Sequence, residues 1–264
     1  MKPLILIAAA GGGKRLRPLT ENVPKPFIEI GNKRLIDLVM DKLPDGIEKV
    51  VLLKKDEKFG QLERHLRGKY HFGDGSILYQ DRITSSPHLP REFAPSEIPL
   101  AYYLGFFPVW LSRNSRTIRS FDPIVLVPCD VIVEGLNYLD LVEYHAHKNA
   151  DITMAVKQGF VKGSNTRAYI VRDGRFVTAS DYIEPPFDKK LAEDERIYTS
   201  EGTYVFGKTF FDLRLHQLIV YCMENGFARA FKTLKLVPYE SDFSWIDVAD
   251  HQNLKIARER YGKK

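Results

Sequence analysis

Pro3-Leu4-Ile5-Leu6-Ile7-Ala8-Ala9-Ala10-Gly11-Gly12-Gly13-Lys14-Arg15 is the stretch on which the reading of the fold turns. Residues 3–9 form a short apolar run without polar alternation and lead into glycines. That pattern suits a strand buried on both faces of a parallel sheet, and hence a central one. Working outward, Leu35, Ile36, Val39 and Leu43 recur at helical spacing until Pro44 stops them. Residues 47–53 read as a second apolar strand. Phe59, Leu62 and Leu66 mark an amphipathic helix ending at Gly68, and residues 77–80 read as a third strand. The order strand, helix, strand, helix, strand predicts an α/β fold with a mainly parallel sheet and helices on both faces.

Beyond residue 80 the pattern changes. Pro87, Pro90, Pro95 and Pro99 place a long loop over 84–99, and the aromatic block Tyr102, Tyr103, Phe106, Phe107, Trp110 reads as a helix disturbed by Pro108. Strands are expected over 124–127 and 151–156, with a helix over 138–148 between them. The second half is more antiparallel in flavour, because 168–171 and 175–178 flank the hairpin signal Asp173-Gly174. Strands over 203–206 and 235–239, a stretch over 243–248 with an isolated aspartate among apolar residues, and helices over 210–225 and 250–261 complete the chain. No linker or repeat interrupts it, so a single domain over 1–264 is expected.

Composition excludes several classes. At 264 residues, with 44% hydrophobic, 28% charged and 12% aromatic residues, this is neither a disordered tail nor a coiled coil. The net charge of +5 admits an anionic partner without choosing which. Two cysteines, Cys129 and Cys222, are too few for a disulfide framework and too far apart for a CxxC site, which favours a reducing cytoplasm. No apolar run approaches the roughly 18 residues of a membrane span. Lys2 followed by residues 4–10 imitates a secretory signal, but cleavage there would remove the glycine loop, the most distinctive feature of the chain.

A strand running into Gly11-Gly12-Gly13 offers free backbone N–H groups to phosphate oxygens. The P-loop pattern fails, because Lys14 is followed by Arg15 and not by Ser or Thr. The dinucleotide fingerprint fails too, because Leu16 stands where a small residue must let helix pack on strand. What remains is Ala9-Ala10-Gly11-Gly12-Gly13-Lys14-Arg15-Leu16-Arg17-Pro18-Leu19-Thr20, followed by Pro24-Lys25-Pro26-Phe27. This resembles the sugar-phosphate nucleotidyltransferases, whose members open with A-G-x-G-T-R-L-x-P-L-T and then P-K-P. Only Lys14, in place of Thr, departs from that pattern.

The resemblance implies a three-layer, Rossmann-like, mixed and mainly parallel sheet. It also implies transfer of a nucleotidyl group from a nucleoside triphosphate to a sugar 1-phosphate, with Mg²⁺ as cofactor. Ala9, Ala10, Gly11, Gly12, Gly13, Lys14, Arg15 and Gln80 would bind the nucleotide. Arg15 and Lys25 would be catalytic, because two polyanions must be brought together and positive charge lowers that barrier. Without the resemblance, Arg15, Arg17 and Lys25 would read as a solvated basic face.

Two aspartates resemble the family's metal ligands. Asp130 follows the 124–127 strand, with Cys129 where glycine is usual, and Asp247 lies in Trp245-Ile246-Asp247-Val248, with Ala249 where glycine is usual. Hard divalent cations take such carboxylates. Each alone would read as a turn former or a buried acid paired with a base. The sugar side matches less well. Glu184-Pro185-Pro186 lacks the lysine of the family's E-K-P, and 96–104 lacks its sugar loop. Glu184 and Gly202 are the expected sugar contacts, and Lys189 or Lys190 could supply the missing positive charge. The implied partners are the two substrates, with neither nucleic acid nor membrane, and a homo-oligomer is allowed. Two other readings stand beside this one. One is a regulatory protein of the same fold that binds nucleotide sugars without turnover, and the other is a transferase for a non-sugar phosphate such as phosphocholine.

Overall fold

The computed structural model describes residues 1–79, 118–159, 168–180, 195–208 and 234–262. The chain divides into two compact units. Leu4–Ser96, Leu126–Leu136 and Phe243–Lys264 form one, called the loop unit below; Met1–Pro3, Glu97–Val125 and Asn137–Asp242 form the other, the hairpin unit.

In the loop unit, β1 (Leu4–Ala8) pairs in parallel with β4 (Glu48–Leu53), and β4 with β5 (Ile77–Tyr79). On the other side of β1 lies the end of β6 (Ile124–Pro128), where the Cys129 N–H donates to the Ala8 carbonyl at 3.2 Å. Leu4, Ile5, Leu6 and Ile7 are fully buried, as a strand covered on both faces requires. Each such side chain contributes roughly 1.5–3 kcal/mol of apolar burial. A short hairpin of β2 (Glu29–Ile30) and β3 (Lys33–Arg34) leads into α1 (Leu35–Met40). Beyond α1, i→i+3 turns carry the helical course to Leu43, just before Pro44.

The helix α2 (Gly60–Tyr70) buries Leu62 and Leu66 as the periodicity predicts. It does not end at Gly68. Tyr70 donates to Asp37 at 2.7 Å and Lys69 pairs with the same carboxylate at 3.1 Å, which holds one more part-turn before His71 takes the left-handed cap position. Behind β6 the chain turns at once into β7 (Val131–Glu134), a strand the sequence reading passed over. It pairs antiparallel with β14 (Ser244–Asp247). The last helix, α4 (His251–Tyr261), is capped by Asp250, whose carboxylate accepts from the Asn253 N–H, and it packs on β14 and β2.

The hairpin unit holds α3 (Tyr138–Lys148), β8 (Ile152–Gln158), β9 (Ala168–Arg172), β10 (Arg175–Ser180), β11 (Glu195–Thr199), β12 (Tyr204–Phe206) and β13 (Leu236–Glu240). The strands run in the order β10-β9-β11-β8-β12, and β13 adds to β8 in parallel. Asp173 and Gly174 both have positive φ, as a two-residue hairpin turn demands. The parallel pairing expected at the start of the chain and the antiparallel flavour expected later are both present, and together they make the mixed α/β sheet fold. Strand β11 was not anticipated. The expected loop over 84–99, the aromatic helix, the helix over 210–225, and Gln80, Glu184, Lys189 and Lys190 lie outside the described residues. Among the described residues, no helix is long and apolar enough to cross a membrane.

Candidate functional site

The site is built from the end of β1 outward, inside the loop unit. Ala9 is buried and its N–H donates to the Leu52 carbonyl at 2.9 Å, so the strand's pairing carries the chain up to the glycines. Beside Gly11 and Gly12 nothing lies within 4 Å of where a Cβ would stand. Gly13 is different. It sits at φ +67°, and a Cβ there would come within 2.8 Å of the Thr20 methyl group and 3.2 Å of the Lys25 Cβ. A 3-10 turn over Lys14–Leu16 follows, with Leu16 fully buried as its anchor while Lys14 and Arg15 stay exposed. Buried Thr20 closes the loop by donating its hydroxyl to the Gly13 carbonyl at 2.6 Å.

Pro24 opens a second 3-10 turn, Lys25–Phe27, which turns Lys25 inward until only 5% of it is exposed. A buried ammonium needs a partner, and Lys25 Nζ finds Asp130 Oδ2 at 2.7 Å. Asp130 is the more accessible member of the pair, at 44% side-chain exposure against 6%. Next to Lys25, Phe27 is held between two groups. The Arg34 guanidinium lies 4.4 Å from its ring centre and donates to its carbonyl, and His65 meets it edge-on at 5.4 Å. His65 in turn contacts Asp37 at 2.7 Å.

Asp247 reaches the same place along β14, whose register sets it opposite Val131, next to Asp130. Burial is the main cause that pushes the Asp247 carboxyl above the usual range, and the Asp130 charge adds to it. Lys25 and Arg15 pull the other way. Arg15, Lys25 and Asp130 thus all lie within electrostatic reach of Asp247. Among the described residues, no group of three or more His, Cys, Asp or Glu side chains is arranged to hold a metal. Two carboxylates, with the remaining positions left to phosphate oxygens and water, are the donor set Mg²⁺ takes with nucleotides, so the residues present fit that ion. Beneath Asp130, Cys129 is a buried free thiol whose pKa burial raises well above its ordinary value.

Of the residues singled out from sequence, Ala9, Ala10, Gly11, Gly12, Gly13, Lys14, Arg15, Lys25, Asp130 and Asp247 all fall in the loop unit. Gly202 falls in the hairpin unit, at φ +103° in the turn between β11 and β12, with its N–H on the Ser200 hydroxyl at 3.2 Å. Its neighbour Glu201 is buried, and neither carboxylate oxygen makes a hydrogen bond of ordinary geometry. Burial therefore dominates and raises this carboxyl to about 7, while Thr203, Ser200 and nearby backbone N–H groups offset it only weakly. Two contributors escaped the sequence reading. Lys58 donates to the carbonyls of Gly12 and Thr20, and the Arg34, His65 and Asp37 set backs the Lys25 turn. Both lie in ordinary-looking charge runs that carry no motif.

The family model described as nucleotidyl transferase matches residues 2–263. Among curated proteins, the chain is 27% identical over 262 residues to a glucose-1-phosphate adenylyltransferase of Clostridium acetobutylicum, covering 95% of this chain and 65% of that protein. It is 28% identical over 230 residues to the chloroplastic/amyloplastic glucose-1-phosphate adenylyltransferase large subunit 1 of Zea mays, covering 77% of this chain and 42% of that one. The chain therefore spans about two fifths to two thirds of the length of these relatives. A solved Bacillus anthracis protein, assigned as a glucose-1-phosphate thymidylyltransferase and crystallised with sucrose, superposes with a TM-score of 0.60 at 16% identity. That match covers 99% of this chain and 96% of that one. At that identity the likeness speaks for the fold.

Proposed function

Because the chain belongs to the nucleotidyl transferase family, we propose that it transfers a nucleotidyl group from a nucleoside triphosphate to a sugar 1-phosphate, releasing pyrophosphate and forming a nucleotide sugar. The observation that carries this reading is the meeting of Lys25, Asp130, Asp247 and Arg15 beside the glycine loop. The relatives named as glucose-1-phosphate adenylyltransferases support a sugar phosphate as acceptor.

In the proposed reaction a phosphate oxygen of the acceptor attacks the α-phosphorus. The bond from that phosphorus to the bridging oxygen breaks, and pyrophosphate leaves with the electron pair. Open space beside Gly11 and Gly12 lets base and phosphates approach the backbone closely. Exposed Arg15 meets the triphosphate tail. Lys25, desolvated and fixed by its turn, places one positive charge where negative charge accumulates on the transferring phosphoryl group. Asp130 and Asp247 would hold Mg²⁺, which when bound screens phosphate charge and orients the in-line displacement.

Supporting a cytoplasmic setting are the low cysteine count and the free thiol of Cys129. The test is a pyrophosphate-release assay over four nucleoside triphosphates and a panel of sugar 1-phosphates, with phosphocholine included. Release with one triphosphate and one sugar phosphate supports the proposal. Release with phosphocholine alone moves the acceptor out of the sugar class. Binding of a nucleotide sugar without any release turns the reading to a regulatory protein, which the absence of a lysine at Glu184-Pro185-Pro186 would favour.

A further inference from the structure

Lys58 sits in a 3-10 turn, Glu57–Phe59, within Lys54-Lys55-Asp56-Glu57-Lys58, a run that reads as solvated surface. Its side chain is committed elsewhere. The ammonium donates to the carbonyl of Gly12 at 3.3 Å and to the carbonyl of Thr20, so one cation grips both limbs of the glycine loop. The turn that carries it is fixed in place. Asp56 accepts from the Lys58 N–H at 3.1 Å, and Phe59, only 3% exposed, anchors the turn in the core.

The consequence for the loop is directional. In a trans peptide the C=O and N–H point to opposite sides. Turning the Gly12 carbonyl toward Lys58 therefore turns the Gly13 N–H away from it. The Gly13 carbonyl is engaged as well, by the Thr20 hydroxyl and the Leu16 N–H. A held Gly12 carbonyl thus leaves the Gly13 amide dipole facing the other way, the kind of group that receives an anion. Charge favours the same ligand. Burial is the main cause that lowers the Lys58 pKa; nearby Asp56 opposes it, while Arg17 and Lys54 lower it further. Arg17 and Lys54 repel the Lys58 ammonium, and a polyanion bound at the loop relieves that repulsion.

We infer that Lys58 is a positioning residue for triphosphate recognition, latching Gly12 to Thr20 so that the loop is set before the polyphosphate arrives. The inference rests on the triphosphate reading of the loop given above. Because a latched loop and a bound triphosphate favour each other, the coupling runs both ways.

The experiment compares wild type with Lys58→Met and Lys58→Arg. Amide hydrogen exchange is followed over residues 10–21, and the dissociation constant of each of the four triphosphates is measured by calorimetry without any sugar phosphate. In Lys58→Met, exchange over 10–21 is expected to rise while the rest of the protein is unchanged. Triphosphate affinity should fall about tenfold. Lys58→Arg, which can still donate to two carbonyls, should restore most of both. Unchanged exchange overturns the latch, as does raised exchange without loss of affinity, or a general rise in exchange across the loop unit. Should Lys58→Met melt far below wild type, Lys58→Gln is read by the same criteria. If wild type binds no triphosphate, the proposed function fails, while exchange over 10–21 still decides whether Lys58 latches the loop.

Discussion

The Val248 N–H donates to the Asp130 carbonyl at 2.9 Å, one residue beyond Asp247, so the backbone itself ties the two carboxylates together. They are not equivalent. Asp130 balances buried Lys25, whereas Asp247 is held next to a like charge. Asp130→Asn and Asp247→Asn should each lower turnover by roughly a thousandfold or more at saturating Mg²⁺. Their stabilities should diverge. Asp130→Asn strands the Lys25 cation and is expected to cost about 1–2 kcal/mol, while Asp247→Asn should be neutral or stabilising. Urea melts of both variants check this, and equal melts would mean that the Lys25 pair contributes nothing to the fold.

Arg15 and Lys25 differ in exposure, and their variants should differ in kind. Arg15→Ala is expected to raise the triphosphate KM with a smaller effect on kcat, because an exposed side chain meets the substrate's tail. Lys25→Ala should chiefly lower kcat, since its charge acts where the phosphoryl group transfers. Steady-state kinetics with each substrate varied in turn decides the matter; an unaltered triphosphate KM in Arg15→Ala removes it from the site.

The three glycines should separate on mutation. Gly13→Ala forces a side chain into a left-handed residue and into contact with Thr20, and should cost at least about 1–2 kcal/mol. Gly12→Ala meets open space, so its stability should match wild type while its triphosphate KM rises. Paired melting and kinetic measurements test this, and a Gly12→Ala enzyme with normal triphosphate use would place the nucleotide elsewhere.

Asp37 gives an acid-side prediction. Burial would raise its pKa, but donors from Tyr70, His65, the Arg34 N–H and Lys69 overcome that and hold it at about 2, below the ordinary 3.8. A depressed carboxylate contributes stability that is full above its unfolded value and is lost as pH falls through the folded one. Wild type should therefore lose roughly 2 kcal/mol between about pH 4 and pH 2 that Asp37→Asn does not lose. Denaturant melts across that range provide the comparison.

Glu201 has the opposite sign. Its carboxyl is raised from 4.5 to about 7, so the folded protein holds a proton that the unfolded chain releases. Stability then falls as pH rises through that window and stays low above it. The stability of Glu201→Gln relative to wild type should rise by roughly 3 kcal/mol from pH 4.5 to pH 8, whatever the offset at acid pH. A pH-independent difference would mean that the carboxylate finds partners in solution.

Much of this architecture is legible in residue types. The glycine loop and Pro24-Lys25-Pro26 announce themselves because rigid or permissive residues at fixed spacing leave few other readings, and Trp245-Ile246-Asp247-Val248 stands out as a motif, though not as the strand it forms. Residues 138–148 show a helix whose cap, Asn137, accepts from the Leu139 and Asp140 N–H groups. Strand β7 is hard to separate from β6, because only Cys129 and Asp130 stand between them, although Val131-Ile132-Val133 is plainly β-branched. Lys58 and His65 could not be read at all. Their roles come from contacts with carbonyls, a carboxylate and a ring 28 to 46 residues away, which no local pattern encodes.

Translation proceeds from the glycine loop toward Asp247. Residues 11–25 leave the ribosome first, and the strand that carries the second carboxylate leaves more than two hundred residues later. A nascent chain therefore owns its anion-facing amides long before it owns β14, and β7 waits unpaired for about the second half of that interval. Premature release would yield a polypeptide that lacks one half of its carboxylate pair.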